Sequence, residues 1–161
     1  MSEQNPYEKF LDGRPVETIL AATPNAVAEY LEILGAKQTR RPAPGKWNAA
    51  EIVCHLADCD LAYGFRLRQI LAEDNPTVQP FDQARWAAQY AGISAAQALE
   101  AFVELRKWNL RLIHHAMPGA AARTCIHPER GALSFQIILE ILAGHDLNHL
   151  EQLRHIAELP A

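Results

Sequence analysis

Along most of the chain, apolar residues recur at the three- and four-residue intervals of a helix that buries one face. The pattern is plainest near the C-terminus, where Ile138, Ile141, Leu153 and Ile156 share one arc if each residue advances by about 100°. Ile52, Leu56, Cys59, Tyr63, Leu67 and Ile70 draw a second stripe. Proline, glycine and capping residues cut this pattern into four long helices. The first starts near Pro15 and is expected to break at Thr23-Pro24, with Thr23 as cap and Pro24 opening a second piece that ends before Gly35. Asn48 with Glu51 predicts a capping box at the head of the second helix, which runs to about Glu73, ahead of Asn75-Pro76. A short helix is expected from about Asp82 to Tyr90. Ser94 with Gln97 repeats the capping pattern for the third helix, ended near Met117 by Pro118-Gly119. Ser134 opens the fourth, which reaches about Leu159. The intervening AARTCIHPERGAL is rich in Pro, Gly and charge, and is expected to be irregular and outside the core. There is no internal repeat and no βαβ alternation. The predicted fold is therefore all-α: one domain over residues 1–161, a four-helix bundle with long crossover connections and a short extra helix.

Composition supports a helical domain that buries its own core: 49% of the 161 residues are hydrophobic and only 7% aromatic. The net charge of −4 comes with no block of Lys or Arg, which argues against a nucleic-acid partner. No apolar stretch approaches the ~18 residues a bilayer demands, and the N-terminal MSEQNPYEKF is polar, so no membrane association and a cytoplasmic location are expected. Three cysteines, Cys54, Cys59 and Cys125, without CxxC spacing read as reduced thiols.

Seven histidines are the compositional oddity. His145 and His149 lie inside the apolar stripe of the last helix, one turn apart, the relation that lets two imidazoles share one metal ion. Two adjacent inward imidazoles need partners for four ring nitrogens, and a metal satisfies two of them at once; hydrogen bonds within the core are the competing explanation. His55, the one histidine of the second helix, lies at the margin of its buried face and is the best third ligand. Cys59, a turn further on, can reach the same space but is read first as a packed thiol. His114 and His115 suit a helix C-terminus, where a cation is favourable. His127 precedes Pro128 in the irregular connector, and His155 is expected to face solvent or a neighbouring subunit. Gln152 shares the face of His145 and is a candidate to hydrogen-bond a metal-bound water or the substrate, or else it is a surface residue. Asp58 and Asp146 neighbour the candidate ligands and either orient imidazoles or sit on solvated faces. Glu51 is accounted for by its capping box. Three histidines leave a metal coordinatively open, able to lower the pKa of a bound water or thiol, so hydrolysis and thiol transfer are both within reach. No GxSxG, Walker or GxGxxG motif competes.

Four segments then carry a resemblance: ATPNAVAEYLEIL, PGKWNAAEIVCHLADCD around His55, HPERGALSFQIILEIL, and GHDLNHLEQLRHI around His145 and His149. Nearly end to end, the chain resembles the DinB/YfiT-like superfamily of small metal-binding four-helix bundles. The specific part is a GKWxxxEIxxHLxD block followed by HxxxH. The resemblance implies that His55, His145 and His149 hold one divalent ion, Zn²⁺ or Ni²⁺, and that the protein is a homodimer. The segments FDQARWAAQY and ELRKWNLRL, with Trp86 and Trp108, also contain residue types enriched at interfaces, although both tryptophans can equally be core. Members of the superfamily include S-transferases that use low-molecular-weight thiols, thiol-dependent isomerases, and proteins named as metal-dependent hydrolases. The expected function is a metal-dependent enzyme with a small-molecule substrate, a thiol S-transferase taking a low-molecular-weight thiol as co-substrate. A hydrolase at the same site and a non-catalytic metal scaffold or sensor are the alternatives. An open metal position beside a pocket would favour an enzyme, and a fourth protein ligand the scaffold.

Overall fold

The structure, a computed structural model, describes residues 4–160. Four long helices form the body: α2 (Val16–Leu34), α3 (Ala49–Ala72), α5 (Ala95–Ala116) and α6 (Phe135–Glu158). Two short ones, α1 (Glu8–Leu11) and α4 (Gln83–Ala87), and a 3-10 turn at Gly35–Thr39 lie in the connections. The predicted caps are in place. Asn48 and Glu51 exchange both bonds at 2.9 Å, Ser94 and Gln97 do so at 3.2 and 3.0 Å, and Ser134 Oγ accepts from the Ile137 amide. α3 packs on α5 and α6, and α2 packs on the same two helices. Consecutive helices α2 and α3 thus lie diagonally across the bundle, which is why their connection must be long.

Two expectations are corrected. The helix does not break at Thr23-Pro24: α2 is continuous and Pro24 lies within it. A proline removes the N–H that would bond the carbonyl four residues earlier. Here that carbonyl, of Leu20, accepts instead from Arg106 Nη1 at 2.8 Å. Thr23 does not cap; its hydroxyl donates back to the Ile19 carbonyl at 2.9 Å. The second correction is the connector before α6, which is a β-hairpin of β1 (Thr124–His127) and β2 (Gly131–Ser134), antiparallel with Cys125 opposite Leu133. Cys125 and Leu133 are buried core residues, and Gly131 takes the positive φ of +74° that the turn needs. An isolated bridge from Thr77 to Ile126 ties the α3–α4 connection to the hairpin.

The core comes in two apolar clusters. One gathers Val27, Leu31, Ile52, Leu56, Phe102 and Leu153, and the other Leu20, Leu67, Ile70, Ile113, Ile138 and Leu142. Each long helix contributes to both, and between its two contributions each carries buried polar residues: Thr23, Asp60, Arg106 and Asn109, and the run from His145 to His149. A polar layer in mid-bundle is therefore the feature that this packing has to satisfy.

Candidate metal centre

α3 places His55, and α6 places His145 and His149 one turn apart, all three no more than 5% exposed. Their Nε2 atoms converge: His55 to His145 is 2.9 Å and His145 to His149 is 3.0 Å. His55, expected at the margin of its helix's buried face, is fully buried. Its ring is fixed by Trp47 at 4.8 Å between centroids, and Tyr7 packs edge-on against His145 at 5.4 Å. Tyr7 can come so close because Gly144 lies beneath it; a Cβ there would stand 2.7 Å from Tyr7 backbone oxygen.

The protons that these rings can carry decide whether the cluster suits a cation. A neutral imidazole has one N–H and one lone pair. His149 Nδ1 lies 3.1 Å from Gln152 Oε1, an acceptor, so its proton is there and its Nε2 carries the lone pair. His145 Nδ1 faces Asp146 Oδ1 at 4.0 Å, and among the described residues neither atom has a hydrogen-bond partner. A proton on that Nδ1 turns a second lone pair into the cluster. The two Nε2 contacts that His145 makes cannot both be satisfied by the one proton that His55 can bring. Protonating more is opposed: burial, then His145, pushes His55 down to about 3, and burial with both neighbouring histidines drives His149 well below its ordinary value. A divalent ion accepting all three lone pairs fits this donor set.

Cys59 joins the cluster, its Sγ lying 3.5 Å from His55 Nε2 and 3.9 Å from His145 Nε2. Burial, then Asp146, holds its thiol well above the usual range. Behind the histidines, Arg106 spans the polar layer. It donates to Asp146 Oδ2 at 2.7 Å and to Asp60 Oδ2 at 2.6 Å, and Asn109 donates to the Asp60 carbonyl at 2.8 Å. Burial opposes ionisation of Asp146, but Arg106 and His145 outweigh it and hold the carboxyl below its usual range. At Asp60 burial outweighs Arg106 and raises the carboxyl's pKa; ionised together, the two carboxyls against one guanidinium would leave an excess negative charge beside the cluster, which a cation there would balance.

The cluster separates two spaces. A cleft of about 730 Å³ is lined by His149, Gln152, Trp47 and His155, and a cavity of about 90 Å³ by His145 and Cys59; Tyr7 and Gln83 line both.

His55, His145 and His149 are thus brought together, with Gln152 on the outer side of His149. Asp146 is buried behind His145 rather than solvated, whereas Asp58 accepts from Tyr90 at 2.7 Å and orients no imidazole. Glu51 adds an ion pair with Arg41 to its capping role. Cys125 lies in the second apolar cluster. His114 pairs with Glu17 of α2 at 3.1 Å, His115 and His155 are exposed, and His127 is buried in β1. Sequence reasoning passed over Asp60, Arg106 and Asn109. Their signal was present: Phe102, Arg106, Asn109 and Ile113 follow the spacing of a buried stripe, with two polar residues inside it.

Comparison with known proteins agrees with this geometry. The sequence model of the DinB superfamily matches residues 19–153. A protein of Oceanobacillus iheyensis, by name a metal-dependent hydrolase, is 31% identical over 116 residues, 71% of this chain and 66% of its own length. One from Bacillus mycoides, named likewise, is 25% identical over 84% of this chain and 79% of its own. Among solved structures, YfiT from Bacillus subtilis, described as an unusual four-helix bundle and classed by description with metal-dependent hydrolases, superimposes with a TM-score of 0.81. The identity is 19%, over 88% of this chain and 83% of that one.

Proposed function

The chain belongs to the DinB superfamily, and from that premise we propose that it is a metal-dependent enzyme acting on small molecules, with His55, His145 and His149 holding one divalent ion, zinc or nickel. One observation carries this reading: three buried imidazole nitrogens converge within 3.0 Å steps, and His149 opens the cluster onto a cleft of about 730 Å³. Bound there, the ion would supply Lewis acidity that lowers the pKa of a water or thiol. The chain's own residues do the rest. Gln152 accepts a hydrogen bond from His149 Nδ1 and so fixes the tautomer, Asp146 faces His145 Nδ1 at the longer distance of 4.0 Å, and Trp47 and Tyr7 hold the rings and keep water from their flanks. Gln152 also lines the cleft, and its second role in this proposal is a hydrogen bond to the substrate.

Thiol S-transfer is the reaction we favour, because a two-substrate reaction needs two places and the cluster has a space on either side. A low-molecular-weight thiol would occupy the cleft. The names of the relatives favour hydrolysis as a second reading. Cys59 favours a third, a sealed scaffold with four protein ligands. Protein purified without an affinity tag should carry about one divalent ion per chain and conjugate a low-molecular-weight thiol to a generic electrophile, read by mass spectrometry. Turnover of an ester without thiol would select hydrolysis instead. A near-ultraviolet thiolate-to-metal band in the cobalt-substituted protein, lost in Cys59→Ser and accompanied by no turnover, would select the scaffold.

A homodimer completes the proposal. Leu61 and Phe65 on α3 and Trp108 on α5 are 55%, 63% and 59% exposed, and Arg68 of α3 stacks at 5.8 Å on the Trp108 ring. Three free, buried cysteines suit the cytoplasmic location proposed with it. Among the described residues no helix is long and apolar enough to cross a membrane.

A further inference from the structure

The small cavity beside His145 is lined by positive charge that nothing in the histidine cluster uses. Arg66 of α3 is 5% exposed, yet among the described residues it forms no ion pair. One of its nitrogens donates to the Gln79 carbonyl at 2.5 Å, and its plane rests on Tyr63 and Phe81 at 5.2 and 5.6 Å. A buried guanidinium ordinarily has an anion opposite it. Arg130, in the turn between β1 and β2, lines the same cavity, and among the described residues its side chain forms no ion pair or hydrogen bond.

The neighbouring groups add donors. His127 is 7% exposed, and its Nδ1 accepts the Glu129 amide proton at 3.2 Å, which leaves the ring proton on Nε2. Burial, then Arg66 and Arg130, lowers its affinity for a second proton, so it stays a neutral donor. Burial raises the Tyr63 phenol, which keeps its proton as well. Glu129 contributes the one carboxylate of the lining; it is exposed and, among the described residues, forms no ion pair. A space of about 90 Å³ takes a carboxylate or phosphate group on a short stem.

We infer that this cavity is an oxyanion subsite, in which Arg66 and Arg130, with His127 and Tyr63 as further donors, hold a carboxylate or phosphate group of a small acidic ligand. The remainder of that ligand meets the wall formed by Cys59 and His145. What happens to it there rests on the metal-enzyme reading; the binding of the oxyanion does not.

Calorimetric titration of malonate and of inorganic phosphate, into metal-stripped and zinc-loaded protein, tests the two separately. At least one of the anions should bind both forms, malonate the tighter if the group is a carboxylate and phosphate if it is a phosphoryl group. Arg130→Gln should weaken binding tenfold or more in both forms, since a hydrogen bond to a charged group is involved. Arg130 holds no other group, so the variant's melting temperature should not move, and Arg130→Lys should recover part of the affinity. Anion binding that appears only with zinc and is indifferent to Arg130→Gln would place the anion on the metal and overturn the subsite, with the metal-enzyme reading intact. Absence of binding to either form would overturn it too. Binding to stripped protein that takes up no zinc would keep the subsite and sink the metal reading.

Discussion

A histidine buried in its neutral form, without the second proton, is a store of acid sensitivity. His55 and His149 both have folded-state proton affinities far below that of an unfolded chain, burial being the main cause and neighbouring histidines the next. Below pH ~6.5 the unfolded chain therefore binds more protons than the folded one, and stability must fall as the pH falls. Metal-stripped protein should be at full stability above about pH 6.5 and lose up to about 1.4 kcal/mol per pH unit for each proton as the pH drops towards 4. A His55→Asn variant followed by urea melts across that range should show a shallower slope; an unchanged slope would place the acid sensitivity elsewhere. The residues of this cluster were legible in the sequence because a helical wheel puts His145 and His149 in an apolar stripe. The partners that set their tautomers were less so. Gln152 is visible on the same face, but that its oxygen meets His149 Nδ1 depends on side-chain torsions that spacing does not determine.

At the scale of elements, the informative case is α2. Read alone, Thr23-Pro24 is a helix boundary, since proline forfeits a bond to the carbonyl four residues back. The helix persists because a residue from α5, 86 positions away in sequence, supplies that bond. Local rules cannot anticipate a donor that arrives through tertiary packing. The hairpin was hidden for a similar reason: its strands are four residues each, too short for alternation to stand out, and the bridge to Thr77 that anchors them is nonlocal. Arg106 now holds α2, α3 and α6 to α5 at once, through Leu20, Asp60 and Asp146. Arg106→Leu would leave two buried carboxylates without their cation and one carbonyl without a donor. The expected loss is about 3–5 kcal/mol in chemical denaturation, far more than a surface arginine would cost. A loss under about 1 kcal/mol would mean that the polar layer rearranges or takes up solvent.

For the whole molecule, metal and fold should be linked. An ion that binds only the folded state stabilises it by mass action, about 2.7 kcal/mol at a hundredfold excess over its dissociation constant. Chelation should lower the melting temperature of the unmutated protein and restored metal should return it, while His145→Leu/His149→Leu should not respond; equal responses would place the ion elsewhere. Light scattering at tens of micromolar should give twice the 17.9 kDa of one chain. Leu61→Glu/Phe65→Glu should halve that mass without disturbing metal content, and a wild-type monomer would remove the dimer. The bundle was the most legible level of all, because caps and stripes specify four helices independently of one another. The placement of the histidines and of the hairpin has one more consequence. The three imidazoles stand on α3 and α6, which the core fixes, whereas His127 ends β1 and Arg130 lies in the three-residue turn, 128–130, that follows it, outside the helices. Reactivity and part of the address share α3, through His55 and Arg66, but the rest of the address is written on a separate length of chain, so exchanging the turn is a graft that would retune the charge of the ligands offered to an unchanged reaction centre.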